Sequence, residues 1–481
     1  MKVHSLLTFG YDVEDQPEMN MLNSQKNDQT DEILALDKHL VHSFADLHSL
    51  AEPDARTVIT QAEGAYVFDA RGERYLDGMA GLWCVNVGHG RREISAAIAD
   101  QLNTLDYFST FYNLTHPTAA TLAAKIAKLA PGTLNHVYFG NSGSVANDTA
   151  IRIVHYYFNR LGKPSKRKIL SRIGAYHGST HLAIAMTTPA YREGWNSADE
   201  LVHFLPSPDV YRRPDEMSEA QFCDHLLEDM RAQIEVLGAD TIACFIAEPI
   251  MGAGGVIVAP QGYHARVLSL CHEFEILYIS DEVVTAFGRL GHMFASEAVF
   301  GIVPDIICSA KGLSSGYQPI SATILSEEIY DVISAEGGKF LHGMTYSGHP
   351  ACCAASLENI RIIEDEKICE RVLTLGPLFE ASLKRLLVHA IVGDVRGSHF
   401  MMAVEFVKNR QTKEAFHDDI GVGMRISRHA QSLGLIVRPL GSMIVLSPPL
   451  ILTEKEIDDV GRILSESIEA TMRELVHEQL L

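Results

Sequence analysis

Nothing in the 481 residues offers a long apolar run, a CxxC pair or an excess of positive charge, and each absence removes a class of function. No stretch approaches the roughly 18 apolar residues that cross a bilayer, and the N-terminus lacks the basic region and apolar block of an export signal. Forty Lys and Arg against 61 Asp and Glu leave a net charge of −21, which repels phosphate backbones and anionic lipid. Neither nucleic acid nor a membrane surface is expected as a partner. The eight cysteines (Cys84, Cys223, Cys244, Cys271, Cys308, Cys352, Cys353 and Cys369) are scattered through apolar segments, as small core residues of a protein kept in a reducing compartment. The expected location is therefore cytoplasmic. There is no internal repeat and no low-complexity segment.

What is present is the composition of an ordinary globular chain, 47% hydrophobic and long enough for two or three domains. Residues 1–36 are polar and acidic with little periodicity, and are expected to form an extension or arm. Residues 37–81 include GAYVFDARGERYLDGMAG, whose alternation around a turn-like ARGE predicts a small antiparallel sheet. From Leu82 onward short apolar runs alternate with longer amphipathic ones, the pattern of an α/β domain with a mostly parallel sheet, here bounded at 82–357. The predicted strands are HVYF (136–139), KILSR (168–172), TIACFIA (241–247), EILYIS (275–280), DIICSA (305–310) and ISATIL (320–325). Residues 358–481 change texture, with helical stretches around HFMMAVEFV (399–407) and MIVLSPPL (443–450), and read as a smaller α+β domain. Its last helix opens on a Thr453–Glu456 capping box and carries Ile457, Val460, Leu464, Ile468 and Met472 along one face.

In open parallel sheets ligands bind beyond the carboxyl ends of the strands, so chemistry is sought there. After HVYF, the turn GNSGS runs into a helix, where N–H groups, the helix dipole and the Ser142 and Ser144 hydroxyls suit an anion such as a phosphate. Alone, such a turn is an ordinary helix cap, and it lacks the GxxxxGK[ST] of a triphosphate loop. KILSR leads to IGAYHGST, placing Tyr176 and His177 at a strand end. His177 and His181 have metal-ligand spacing for a helix, but Gly178 lies between them and no HExxH carboxylate accompanies them, so no metal is expected. EILYIS ends in Asp281, and DIICSA delivers Lys311 into a run of small residues at the same sheet edge.

Lys311 demands a reason, because an ammonium among small and apolar residues is costly unless paired or deprotonated. An aldehyde cofactor supplies one: it needs an amine whose pKa burial has lowered so that an imine can form. A pyridinium nitrogen needs a buried carboxylate, a flat ring an aromatic face, and a phosphate a helix N-terminus. Lys311, Asp281, Tyr176 and the GNSGS turn together describe a pyridoxal 5′-phosphate site.

The combination YLDGMAGLWCVNVGHGR, NSGSxAND, AYHGST, AEPIMGAGG, DEVVTAFGRLG, CSAKGLSSGYQP and MTYSGHP resembles the class III (ω-amino acid) aminotransferases of pyridoxal-phosphate fold type I. Within them the chain is most similar to the pyruvate-dependent ω-transaminases, from about Leu36 to its end. The resemblance implies that Lys311 carries the cofactor and then moves the proton between substrate Cα and cofactor C4′. It implies that Asp281 pairs the pyridine nitrogen, that Tyr176 and Val283 take the two faces of the ring, and that Gly143 and Ser144 hold the phosphate. His177 and Glu248 would stand near the cofactor, and Thr345 would reach the phosphate of a neighbouring subunit. The active unit would then be a homodimer with shared sites, with a tetramer left open. For substrate, Trp83, Phe108 and Phe111 would line the pocket and Arg438 would clamp the carboxylate of the keto acid. One position departs from the family: Val145 stands where SGSEA has glutamate. The expected reaction moves an amino group from an amine or ω-amino acid to pyruvate, giving an aldehyde or ketone and L-alanine. Its competitors are a class III enzyme linked to 2-oxoglutarate or S-adenosylmethionine, of 4-aminobutyrate or diaminopelargonate type, and a decarboxylating or isomerising relative. A non-catalytic protein on the same fold would be expected to lose Lys311 or Asp281, and both are present.

Overall fold

The computed structural model describes residues 30–51 and 56–481. Most of the expected N-terminal arm lies outside the described residues; Thr30–Asp37 forms a helix. The centre of the molecule is a seven-stranded sheet of β1 (Leu134–Gly140), β2 (Lys168–Arg172), β3 (Val202–Leu205), β4 (Ile242–Ala247), β5 (Leu277–Asp281), β6 (Ile306–Ser309) and β7 (Ser321–Ser326) in the order β1-β7-β6-β5-β4-β2-β3. Only β7 runs against its neighbours.

The apolar runs that predict these strands are continuous because both faces are covered. Successive residues of a strand face opposite layers. Ile169, Ile246 and Ile279 pack with Ala150, Ile151 and Val154 of the helix α1 (Gly143–Arg160). Leu170, Phe245 and Tyr278 pack on the other side with Leu226, Met230 and Ile234 of helix Glu219–Leu237. All six residues of β4 are buried, as a central parallel strand requires.

The six expected strands are all present, and β3 is an addition at the sheet edge. Its four residues, VHFL, are too short for a periodic signal. Beyond the central sheet, both ends of the chain meet in one four-stranded sheet, where Leu435–Ile436 pairs in parallel with Arg74–Asp77. A further sheet joins Val392–Ser398, Met401–Asn409, Met443–Leu446 and Arg438–Leu440. Val392–Ser398 was concealed by its polar residues: Arg396 is paired with Asp394 at 3.1 Å and Glu405 at 2.5 Å. MIVLSPPL stops being a strand at Leu446, before two prolines that cannot donate to a ladder. The closing helix Glu454–His477 has the expected capping box, with Thr453 N–H donating to Glu456 Oε2 at 2.7 Å. Among the described residues no helix is long and apolar enough to cross a membrane.

Because β1, β2, β4, β5 and β6 are parallel, their carboxyl ends open on one edge. That edge receives the start of α1, the Tyr176–His177 turn, Glu248, Asp281 and Lys311.

Candidate active site

A cavity of about 380 Å³ lies along this edge. Gly143, Ser144, Tyr176, His177, Glu248, Asp281, Val283, Lys311, Trp83 and Arg438 all line it. Residues separated by more than 350 positions are therefore brought into one chamber by the strand order.

Lys311 follows β6 in a short 3₁₀ turn, Lys311–Leu313, with a backbone φ of 30°. Left-handed backbone is unfavourable for a lysine and persists only where its surroundings impose it. Asn359 imposes it from below, donating through Nδ2 to the carbonyls of Gly312 (2.8 Å) and Leu313 (3.0 Å). Glycine is required at 312, since a Cβ there would stand 2.4 Å from Asn86 Nδ2. Burial pushes the Lys311 amine below its ordinary pKa, against the pull of Cys84, Asp281 and Glu248, and the positive Arg438 adds to the lowering. Among the described residues the amine has neither a hydrogen bond nor an ion pair.

Asp281, the last residue of β5, is held by three donors. Oδ2 accepts from Asn147 Nδ2 and His177 Nδ1, each at 2.8 Å, and Oδ1 accepts from the Val283 N–H at 3.1 Å. The carboxylate is 4% exposed, so these bonds replace nearly all of its water.

At the far end, Ser142 caps α1 by accepting the Val145 N–H at 3.3 Å, which leaves the N–H groups of Gly143 and Ser144 without acceptors inside the helix. Ser144 Oγ accepts the Ser179 N–H at 3.1 Å, so its own proton is free for another acceptor. The turn is tight. A Cβ on Gly143 would meet Val283 Cγ1 at 2.9 Å, and one on Gly178, whose φ is 133°, would meet Ser144 Oγ at 2.3 Å. Gly178→Ala is thus expected to push Ser144 out of place and to lower stability by about 1–3 kcal/mol. Thermal melting with and without added cofactor checks this, the cofactor-dependent rise in Tm being smaller in the variant.

Between these two ends stands Tyr176, whose N–H donates to Glu248 Oε1 at 3.1 Å and whose hydroxyl meets Ser179 Oγ at 3.0 Å. Glu248 Oε2 accepts the Gly252 N–H at 2.7 Å, so this buried carboxylate joins two turns of the cavity wall; burial raises its pKa. Trp83 is 2% exposed, with φ at 64° after the irregular Ala80–Gly81 turn. Arg438 opens the strand Arg438–Leu440, in register with Val445. Among the described residues its guanidinium has no hydrogen-bond or ion-pair partner.

Three predicted residues lie outside the cavity of their own chain. Phe108 is 48% exposed, and Phe111 rests on Gly343 in a separate shallow groove of about 710 Å³ with Tyr138 and Phe340. Thr345 is exposed, its carbonyl accepting from Tyr107 Oη at 2.7 Å. Val145 packs against Gly140 rather than facing the cavity. Conversely, sequence reasoning passed over Asn147, Leu82, Ser43 and Phe44, all of which line the chamber. Phe44 sits edge-on to the Tyr176 and Tyr191 rings, with centroids 6.0 and 6.2 Å away; the surrounding LVHSFADLHS offers no periodic signal.

Residues 49–468 match the family model for aminotransferase class-III. The chain belongs to the class-III aminotransferases. It is 40% identical over 455 residues to a putrescine–pyruvate aminotransferase of Pseudomonas aeruginosa, a match covering 94% of this chain and 99% of that protein. A mitochondrial gamma-aminobutyrate transaminase 1 of Solanum lycopersicum is 38% identical over 421 residues, 86% of this chain and 81% of its own. Among solved structures, a thermostable (S)-enantioselective ω-transaminase of Thermomicrobium roseum superposes with a TM-score of 0.90 at 38% identity, covering 93% of this chain and all of that one. The ω-transaminase of Pseudomonas jessenii in complex with PMP gives 0.88 at 36% identity, over 92% and 98% of the two chains.

A class-III aminotransferase of fold type I uses pyridoxal 5′-phosphate, and the cavity fits it on its own chemistry. The unsatisfied N–H groups at the start of α1 suit a phosphate, and the glycine-lined turn leaves space that a Cβ would fill. Asp281 offers an ionic partner for a ring nitrogen, Tyr176 and Val283 offer flat contact, and Lys311 offers an amine with lowered basicity.

Proposed function

We propose that this class-III aminotransferase is a pyruvate-dependent ω-transaminase, transferring an amino group from an amine or ω-amino acid to pyruvate to give an aldehyde or ketone and L-alanine. The observation that carries the reading is the unpartnered guanidinium of Arg438 in the chamber that holds Lys311 and Asp281. A free planar fork matches a keto-acid carboxylate with two hydrogen bonds. The likeness to a putrescine–pyruvate aminotransferase supports the same acceptor.

When bound, the cofactor supplies an aldehyde that accepts nitrogen and a ring that draws electrons from the substrate's Cα–H bond. The chain's residues do the rest. Lys311 would hold the cofactor through its amine, and that amine, once displaced by the substrate's, would take and carry the proton removed from substrate Cα. Asp281 keeps the ring nitrogen protonated. Gly143 and Ser144 anchor the phosphate, Tyr176 and Val283 fix the ring plane, and Glu248 holds the Tyr176 turn. Trp83 forms part of the chamber wall, and Arg438 binds the carboxylate when the acceptor enters.

The same reading includes a homodimer. Phe108, Tyr112, Phe340, Leu341 and Tyr346 leave large apolar area exposed around Phe111 and Thr345, 97% in the case of Tyr112. A second copy covering this face would bring Phe108, Phe111 and Thr345 to the other subunit's chamber. We also assign residues 82–357 to a large cofactor-binding domain and residues 37–81 and 358–481 to the smaller one. A cytoplasmic location agrees with eight free cysteines.

The test is optical. Added 1-phenylethylamine is expected to bleach the visible band of the cofactor-loaded protein, and pyruvate to restore it as alanine accumulates. A band that ignored pyruvate and responded to 2-oxoglutarate would sink the pyruvate assignment and favour the glutamate-linked branch. In Arg438→Leu, KM for pyruvate is expected to rise roughly 10- to 100-fold while bleaching by 1-phenylethylamine stays within a fewfold, since two charge-assisted bonds of about 1.5–3 kcal/mol each are lost in part. Steady-state kinetics beside the single half-reaction distinguishes the two effects.

A further inference from the structure

The helix that presents the anion-binding turn also reaches the other end of the chamber. One turn into α1, about 4.5 Å along the axis from Ser144, Asn147 is 1% exposed. Its Nδ2 donates to the His177 carbonyl at 2.7 Å and to Asp281 Oδ2 at 2.8 Å. Both partners can only accept, so the amide has a single possible orientation: turned over, its oxygen would face a carbonyl and a carboxylate. In that orientation Oδ1 is buried without a partner among the described residues, and so is His177 Nε2. A buried amide with an orphaned oxygen is a poor way to fill space, and an apolar side chain of similar volume would avoid that desolvation cost.

We infer that Asn147 is a positioning residue: together with His177 it holds the Asp281 carboxylate fixed in orientation toward the cofactor's ring nitrogen. The inference rests on the aminotransferase reading of the chamber and goes beyond it. Since Gly143 and Ser144 occupy the preceding turn, α1 sets the phosphate anchor and the ring-nitrogen partner at a fixed separation. Losing the Asn147 bond would uncouple the two.

The experiment loads wild type, Asn147→Ala, Asn147→Asp and Asn147→Ser with ¹⁵N-labelled pyridoxal phosphate. It reads the ring-nitrogen resonance, the cofactor dissociation constant, and kcat and KM for both substrates. Asn147→Asp preserves shape but sets a second carboxylate beside Asp281, a cost that arises whatever the residue's role, so the alanine and serine variants carry the test. The resonance is expected to move toward the unprotonated position in Asn147→Ala, with kcat reduced on the order of 10- to 100-fold and pyruvate KM nearly unchanged. Asn147→Ser, which restores a hydroxyl donor, is expected to recover part of both. Should Asn147→Asp fail to fold, the alanine and serine variants decide the matter alone. Wild-type resonance and kcat in the variants that fold would overturn the inference while leaving the aminotransferase reading intact. Wild-type protein that failed to bind the cofactor at Lys311 would remove both.

Discussion

Lys311→Ala is expected to leave a folded protein that binds the cofactor without a covalent link and transfers amino groups on the order of 10⁴-fold more slowly, or less. Among the described residues no other lysine lines the chamber, and Arg438 cannot substitute because a guanidinium does not give up its proton. Borohydride should fix the cofactor to a single peptide containing residue 311 in wild type and to none in the variant, as mass spectrometry would report. The lowered basicity of Lys311 adds a pH signature. The neutral amine is the nucleophile, and for a free lysine it is only about 10⁻³ of the population near pH 7.5. Capture of the cofactor by cofactor-free protein should therefore rise with pH and level off below 10.5, the ordinary lysine value. The same burial disfavours the cation in the folded state, so wild-type stability carries a penalty that is full at pH below the folded pKa and lifts as pH rises toward 10.5. Below the folded pKa, cofactor-free Lys311→Ala should melt no lower than wild type, which separates loss of chemistry from loss of fold.

Asp281→Asn carries the second large effect. The side chain keeps its shape, yet all the sites around it are donors: Asn147, His177 and the Val283 N–H. An amide must turn its own NH₂ toward one side of that set, so at least one bond becomes a donor–donor contact, and the negative charge proposed to face the ring nitrogen is gone. Charge stabilisation of this kind in a dry site is worth about 3–4 kcal/mol, and kcat should fall on the order of 10²- to 10³-fold. Single-turnover bleaching of the visible band by 1-phenylethylamine measures it directly. A rate within tenfold of wild type would take the ring-nitrogen role away from Asp281.

Much of this was legible before any coordinates. KILSR, TIACFIA, EILYIS and DIICSA announce themselves because strands buried on both faces read as unbroken apolar runs, and their parallel ends necessarily share an edge. Lys311 and Asp281 stood out because a charge at the end of such a run is costly and needs a cause. Asn147 did not, since an asparagine one turn into a helix carries no chemical signature until Asp281, 134 positions later, is placed beside it. Phe44 was hidden in a stretch without periodicity, and only its contact with Tyr176 gives it meaning. Phe108 and Phe111 show the limit of spacing: within their own chain one is exposed and the other lies in a separate groove, and spacing does not record what a second copy would cover.

The pairing of Leu435 with Leu76 and of Ile436 with Asp77 has a consequence for how the protein is made. The strands from Ile59 to Asp77 emerge from the ribosome well before Leu435 and Ile436, and their outer edge stays open until that later segment has been synthesised. Contacts of such sequence separation are slow to form, and an unpaired strand edge invites association with other chains in the interval. Arg438 leaves the ribosome in the same late segment, directly after the strand that closes the edge. The sealing of the N-terminal sheet and the delivery of Arg438 to the chamber are thus the work of a single stretch of backbone.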